Sequence, residues 1–209
     1  MSHNAAEFLA SLDQDWAKLV SAIGPYLPTP QASHDPFEAL IRAVAYQQLH
    51  GKAAAAILQR LLLQFDGQFP SAAALLAIDR ELLRSCGFSR RKAATILGLA
   101  QAQLDGIIPA REQALLMEDK QLITSLSSLP GIGPWSVEML LMHNLGRPDI
   151  LPVTDFGVRD GYRRLKGWTQ MPSPRELQQL GLAWSPHRSA AAWYLWRVPR
   201  QATGDESRD

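Results

Sequence analysis

The sequence predicts an all-α protein, and three observations carry that prediction. Apolar residues recur at three- and four-residue spacing, as in Phe8, Leu12, Trp16, Leu19, Val20 and Ile23. Helix-starting pairs such as Asp35-Pro36 and Ser173-Pro174 open further segments of the same kind. No run alternates apolar and polar residues for long enough to make a strand. At 209 residues and 46% apolar composition, the chain can bury a sizeable core in one domain or in two small helical lobes.

Taken in order, a one-sided helix is expected over 4–23, broken by Pro25, Pro28 and Pro30. Asp35 caps a second helix that turns Phe37, Leu40, Ile41, Val44 and Ala45 inward. That pattern is interrupted at Tyr46-Gln47-Gln48-Leu49-His50-Gly51 and resumes from Lys52 to Leu63. Polar side chains can project from such an interruption. Short helices follow near 71–77 and 79–85, then a Gly87-Phe88-Ser89 turn and a helix from Arg90 to about Leu104. Pro109 predicts an extended loop. Glu118 to Ser127 is helical, and a helix runs from Pro134 to Asn144. The Asp155 loop opens a helix through Leu165. Ser173 with Glu176 forms a capping box, and Pro186 starts the last helix. The polar, acidic tail 201–209 reads as disordered.

Composition excludes several functional classes. A net charge of +1 argues neither for nor against nucleic acid. Two local runs are basic: Arg84 to Lys92, and Arg159 to Lys166. Each suits a phosphate-facing patch or an ordinary solvated helix face. The single cysteine, Cys86, rules out an intramolecular disulfide framework and a cysteine-based metal site. There is no basic-then-apolar leader pattern and no apolar run of membrane-spanning length.

The chain is organised around Leu129-Pro-Gly-Ile-Gly-Pro-Trp-Ser136. Gly131 and Gly133, one residue apart, make a tight turn that side chains would crowd. Pro134 then sits at a first helical position. N–H groups exposed at such a turn suit a phosphate. Beyond the next helix comes Leu151-Pro-Val-Thr-Asp155-Phe-Gly-Val-Arg159. On spacing alone Asp155 is a helix N-cap. The run at 184–196, Trp-Ser-Pro-His-Arg-Ser-Ala-Ala-Ala-Trp-Tyr-Leu-Trp, holds a cluster of indoles.

Together these three stretches resemble the helix-hairpin-helix DNA glycosylase superfamily, and within it the DNA-3-methyladenine glycosylase II branch, from about Asp35 to Arg197. The resemblance implies a two-lobed helical fold, with one lobe at about 36–110 and the other built from 1–35 and 111–200. It implies a compact form lacking the N-terminal α/β domain of longer relatives. It implies a monofunctional enzyme that excises alkylated purines, 3-methyladenine and 7-methylguanine, from duplex DNA. The enzyme would work as a monomer in the cytoplasm, near the nucleoid. A binding-only protein for damaged DNA, or a glycosylase for hypoxanthine or uracil, are the alternatives.

The resemblance also assigns roles to residues. Asp155 is the catalytic carboxylate. Trp135 stands where strand-cleaving members carry a lysine, so that chemistry is not expected here. Trp135, Trp196, Trp193 and Met139 would line the base pocket, with Trp184 and Tyr194 read as core. Met139 replaces a pocket tyrosine of a relative, and Thr154 replaces an acid beside the aspartate. Gln48, Leu49 or His50 would fill the hole left by the extruded base. Gly131, Ile132, Gly133, Arg90, Lys92, Arg188 and Ser189 would meet the DNA backbone. The carbonyls of Ser127, Leu129 and Gly131 would hold a structural Na+ or K+. No cofactor is required, and one cysteine leaves no room for the iron–sulfur cluster of some members.

Overall fold

The computed structural model describes residues 2–28, 35–49 and 51–199; His50 and the tail 201–209 lie outside the described residues. Among the described residues every regular element is helical. No helix among the described residues is long and apolar enough to cross a membrane.

Capping residues divide the chain. The helix expected over 4–23 is two, α1 (Ser2–Ala10) and α2 (Gln14–Ile23). Asp13 makes the break: extended at φ −169°, it accepts from the N–H groups of Asp15 and Trp16. Asp35 caps α3 (Pro36–Tyr46) as its sequence predicts. After the break at 47–49 comes α4 (Gly51–Leu63). Ser71, Asp79 and Ser89 cap α5 (Ala72–Ala77), α6 (Arg80–Ser85) and α7 (Arg90–Leu104).

The loop expected after Pro109 contains a short helix, α8 (Arg111–Leu116), which buries Ala114 completely. Next are α9 (Asp119–Leu126) and α10 (Pro134–Met139). The helix expected to continue to Asn144 widens into a π turn over Leu140–Asn144, closed by Leu145 N–H donating to the Leu140 carbonyl at 3.0 Å. Arg111 holds that turn by donating to both the main-chain and side-chain oxygens of Asn144, each at 2.9 Å. Asp155 caps α11 (Phe156–Leu165), and the Ser173–Glu176 capping box starts α12 (Pro174–Leu180). The last helix, α13 (Arg188–Leu195), begins two residues after Pro186.

The chain divides into two compact units, one of Pro30–Gly146 and one of Met1–Thr29 with Arg147–Asp209. Residues 111–146 therefore group with the first unit and not with the second, as the division at residue 110 had it. The reason is packing: α10 and the π turn lie on α3. In this unit α3 is the central helix, with α4, α7 and α10 against it, and its Leu40, Ile41, Val44 and Ala45 are wholly buried.

In the other unit α13 packs on α11, α1 and α2. Trp16, Tyr162 and Trp184 form an aromatic core, with ring centroids 5.5 Å apart in both pairs around Trp184. Lys166 ties α11 to α2 through Asp13 and Asp15, at 2.7 and 2.9 Å. The closest approach is at Gly161, where a Cβ would come within 2.1 Å of the Leu195 carbonyl oxygen. That neighbour is backbone and cannot swing aside. Gly161→Ala should therefore destabilise the protein by about 1–3 kcal/mol or more, read as a lower urea midpoint. An unchanged midpoint would mean the two helices do not meet so closely.

Candidate functional site

The site begins at a turn. Leu151 to Asp155 is closed by Val153 N–H to the Leu151 carbonyl and Asp155 N–H to the Pro152 carbonyl, both at 2.9 Å. It delivers Asp155 to the N-cap of α11, where Oδ1 accepts the Val158 N–H at 2.8 Å. The same oxygen accepts the indole N–H of Trp196 at 2.8 Å. The N-cap role and the candidate catalytic role thus belong to one half-buried carboxylate. Two directional hydrogen bonds at one oxygen fix its orientation.

A residue that sequence reasoning missed makes this possible. A Cβ on Gly157 would lie 2.8 Å from Trp196 Cδ1 and 3.1 Å from Asp155 Oδ1. Only glycine leaves room for the indole there. The available signal was the four-residue spacing of Gly157 and Gly161, one turn apart on the face that α13 meets. Phe156, also missed, is the first residue of α11 and is 61% exposed, an unusual setting for a phenyl ring.

The indoles sort by packing and not by spacing. Trp193, grouped with Trp196 as a pocket wall, has partners of its own. The Arg197 guanidinium carbon sits 3.6 Å from its ring centroid, and Tyr26 packs edge-on at 5.4 Å. Trp193 is thus braced by Arg197 and Tyr26. Trp184 and Tyr194 are core, as read: Trp184 is buried, and the Tyr194 hydroxyl donates to the Gly24 carbonyl at 2.8 Å. Trp135 and Met139 lie four residues apart on α10, both half-buried, and so share a face of that helix.

The two hairpin glycines have different reasons. Gly131 is left-handed at φ +84°, and a Cβ there would fall 2.0 Å from Thr95 Oγ1. Gly133 has an ordinary φ of −111°, and a Cβ there would meet nothing within 4 Å. Its lack of a side chain answers no crowding within the protein, which corrects the expectation for that position. Ile132 is buried, so only its main chain could face a ligand. At the α3–α4 break Gln48 is left-handed at φ +54° and exposed, and Leu49 is 41% exposed and not core.

Several predicted backbone contacts are held internally. Lys92 donates to the Ala45 and Gln47 carbonyls at 2.9 and 2.8 Å, and burial lowers its pKa. Arg188 grips Asp149 with two parallel bonds at 2.7 and 2.8 Å. Ser189 is buried, donating to the Arg147 carbonyl at 2.7 Å and accepting from Ile150 N–H at 3.0 Å. In all three the side chain bonds to groups of the protein itself. The basic run 159–166 is also engaged. Arg159 reaches the Pro172 carbonyl, Arg163 and Arg164 reach Asp160, and Lys166 reaches α2. In the run 84–92, Arg84 pairs with Glu81, while Arg90 and Arg91 are exposed at the start of α7.

The sequence matches the HhH-GPD superfamily of base excision DNA repair proteins over residues 41–187. It is 41% identical to DNA-3-methyladenine glycosylase 1 of Schizosaccharomyces pombe, over 93% of this chain and 86% of that protein. It is 34% identical to the alkylbase DNA glycosidase-like protein mag2 of the same yeast, over 94% and 93%. The fold is similar to the solved structure of the S. pombe 3-methyladenine DNA glycosylase in complex with abasic DNA, at a TM-score of 0.90 and 40% identity, covering 93% of this chain and 95% of that one.

The Asp149–Arg188 pair makes a pH prediction. Burial opposes the charged Asp149 carboxyl, but the bonds from Arg188 and Ser185 outweigh it and hold its pKa below the ordinary carboxylate value. A lowered folded pKa stabilises the protein above the unfolded value, and that contribution is lost as pH falls through the folded one. Asp149→Asn should cost about 1–3 kcal/mol near neutral pH. The gap should begin to shrink as pH falls below about 3.9, the unfolded value, and be lost as pH falls through the lower folded one, where native Asp149 becomes neutral. Urea titrations at several pH values check this, and a gap constant down to about pH 3 would contradict it.

Proposed function

The chain belongs to the HhH-GPD superfamily of base excision DNA repair proteins, and from that premise we propose how Asp155 and its neighbours serve the reaction. The protein is a DNA-3-methyladenine glycosylase acting in base excision repair. The finer reading is a monofunctional enzyme that flips an alkylated purine out of duplex DNA and hydrolyses its N-glycosidic bond. The substrate class includes 3-methyladenine and 7-methylguanine. The observation that carries it is the Asp155 carboxylate, held at once by the cap of α11 and by the Trp196 N–H.

Positive charge builds on the deoxyribose as the bond breaks, as in glycoside hydrolysis generally. A fixed carboxylate stabilises that charge and orients the attacking water. One carboxylate suffices because an alkylated purine already carries positive charge and leaves readily. An electron-rich indole such as Trp135 or Trp196 attracts a cationic base by about 1–2 kcal/mol when water is excluded. Trp135 has no amine, so no Schiff base can form from that position. The product is an abasic site in an intact strand.

Gln48 and Leu49 are the wedge: both are exposed, and an apolar side chain such as Leu49 suits insertion between base steps. Gly133 keeps its main chain open toward a phosphate, and the exposed Arg90 supplies positive charge on the same unit. Ser127, Leu129 and Gly131 would hold a monovalent cation through three neutral carbonyls. The Leu129 and Gly131 carbonyls each already accept one hydrogen bond, from Ile132 N–H and from Gln47, which leaves each a second lone pair. Bound there, the ion would add positive charge beside a DNA phosphate.

Base release from methylated duplex DNA, read by chromatography, tests the reading. Wild-type protein should free 3-methyladenine and 7-methylguanine without nicking the strand before alkali. Asp155→Asn should lower the rate by at least about 100-fold while DNA binding is kept. Equal release by both proteins would remove Asp155 from its role, and nicking before alkali would overturn the monofunctional assignment.

A further inference from the structure

Lys92 is the starting point, because its charge is not directed at solvent. Its ammonium donates to the carbonyls of Ala45 and Gln47, at the C-terminal end of α3. Carbonyls there have no partner within the helix, and a cation complements the helix dipole. Burial also depresses the Lys92 pKa, in keeping with a group drawn into the fold.

The residue so held, Gln47, points the other way with its side chain. Its amide donates to the Gly131 carbonyl at 3.3 Å and to Ser136 Oγ at 3.0 Å, the two sides of the hairpin. Gly131 in turn sits against Thr95, whose Oγ1 occupies the space a Cβ would need. Thr95 is buried and lies three residues after Lys92, on the same face of α7. The contacts form a closed circuit from α7 to the end of α3, to the hairpin, and back to α7. All of them lie within the unit Pro30–Gly146. The next residues along the chain are the exposed Gln48 and Leu49.

We propose that Lys92, Gln47 and Thr95 are positioning residues that lock the wedge turn at 47–49 to the hairpin. Phosphate capture by the hairpin and insertion of the wedge then occur as one event. A wedge displaced by an ångström from its register would miss the base step while the hairpin still held DNA. The inference rests on the reading of Gln48 and Leu49 as the wedge and of the hairpin as the phosphate site. It makes Lys92 a brace and not a phosphate ligand, and the two roles differ in what salt does to them. A phosphate ligand releases a counterion; a brace releases none.

The test uses the full chain with Lys92→Met and, because that change also removes a helix cap, Gln47→Met as a second variant. Three quantities are measured: the salt dependence of binding to undamaged duplex, fluorescence of 2-aminopurine beside the lesion as a report of extrusion, and single-turnover base release at saturating DNA. Both variants should keep the wild-type salt slope, lose the fluorescence rise, and release base about 10- to 100-fold more slowly. The double variant should be little slower than either single one, as expected of residues in one circuit. A salt slope shallower by about 0.9 in Lys92→Met, with release unchanged at saturation, would make Lys92 a phosphate ligand and overturn the brace. Wild-type extrusion and release in both variants would overturn it as well. Absence of release from the wild type would instead remove the glycosylase reading on which the inference stands.

Discussion

The close approach of α11 and α13 is the constraint on which the site depends. Gly161 lets the Leu195 backbone come within what would otherwise be a Cβ radius, and Gly157, one turn earlier, admits the Trp196 indole. With side chains at these positions α13 would be pushed off, and the indole N–H would lose Asp155. The carboxylate is then oriented by two donors of different origin. One is the local Val158 N–H of its own helix; the other comes from 41 residues further along the chain. A group already aimed needs no reorganisation as charge develops, which is the general source of electrostatic catalysis.

In the other unit α7 supports the hairpin and the turn at 47–49, the surfaces proposed to meet DNA. It carries Lys92 and Thr95 on one face, and they meet the end of α3 and the hairpin respectively. Gln47 closes the link between those two turns. The hairpin and the helix break at 47–49 are far apart in sequence, yet they share hydrogen bonds and not merely a surface. The π turn after α10 is anchored in the same unit by Arg111 on Asn144, so the helix bearing Trp135 and Met139 is fixed at its far end.

Charge is distributed so that most of the cations with resolved contacts serve the fold. Arg188 neutralises Asp149, Lys166 bridges two aspartates of α2, and Arg163 and Arg164 share Asp160. Only Arg90 and Arg91 of the basic run at 84–92 stand exposed at the start of a helix. Basic residues there oppose the helix dipole, by a few tenths of a kcal/mol each. A bound phosphate would offset that cost. A net charge of +1 is no bar to a polyanion, since a few placed charges matter more than the total.

Local signals in the sequence determined the helical class, most of the helix starts, the hairpin, and Asp155 as both cap and candidate carboxylate. Each of these rests on residues within about one helical turn of one another, where spacing and capping chemistry are decisive. The family resemblance rested on the same stretches. Only the tertiary structure decided which indole meets Asp155, that Trp193 meets Tyr26 and Arg197, and that the side chains of Lys92, Arg188 and Ser189 bond to groups of the protein itself. It also separated the two hairpin glycines, one required by Thr95 and one open. Spacing could not reveal these, because each depends on what another helix presents across the contact. A cation looks the same in sequence whether it meets a phosphate, a carbonyl or a carboxylate.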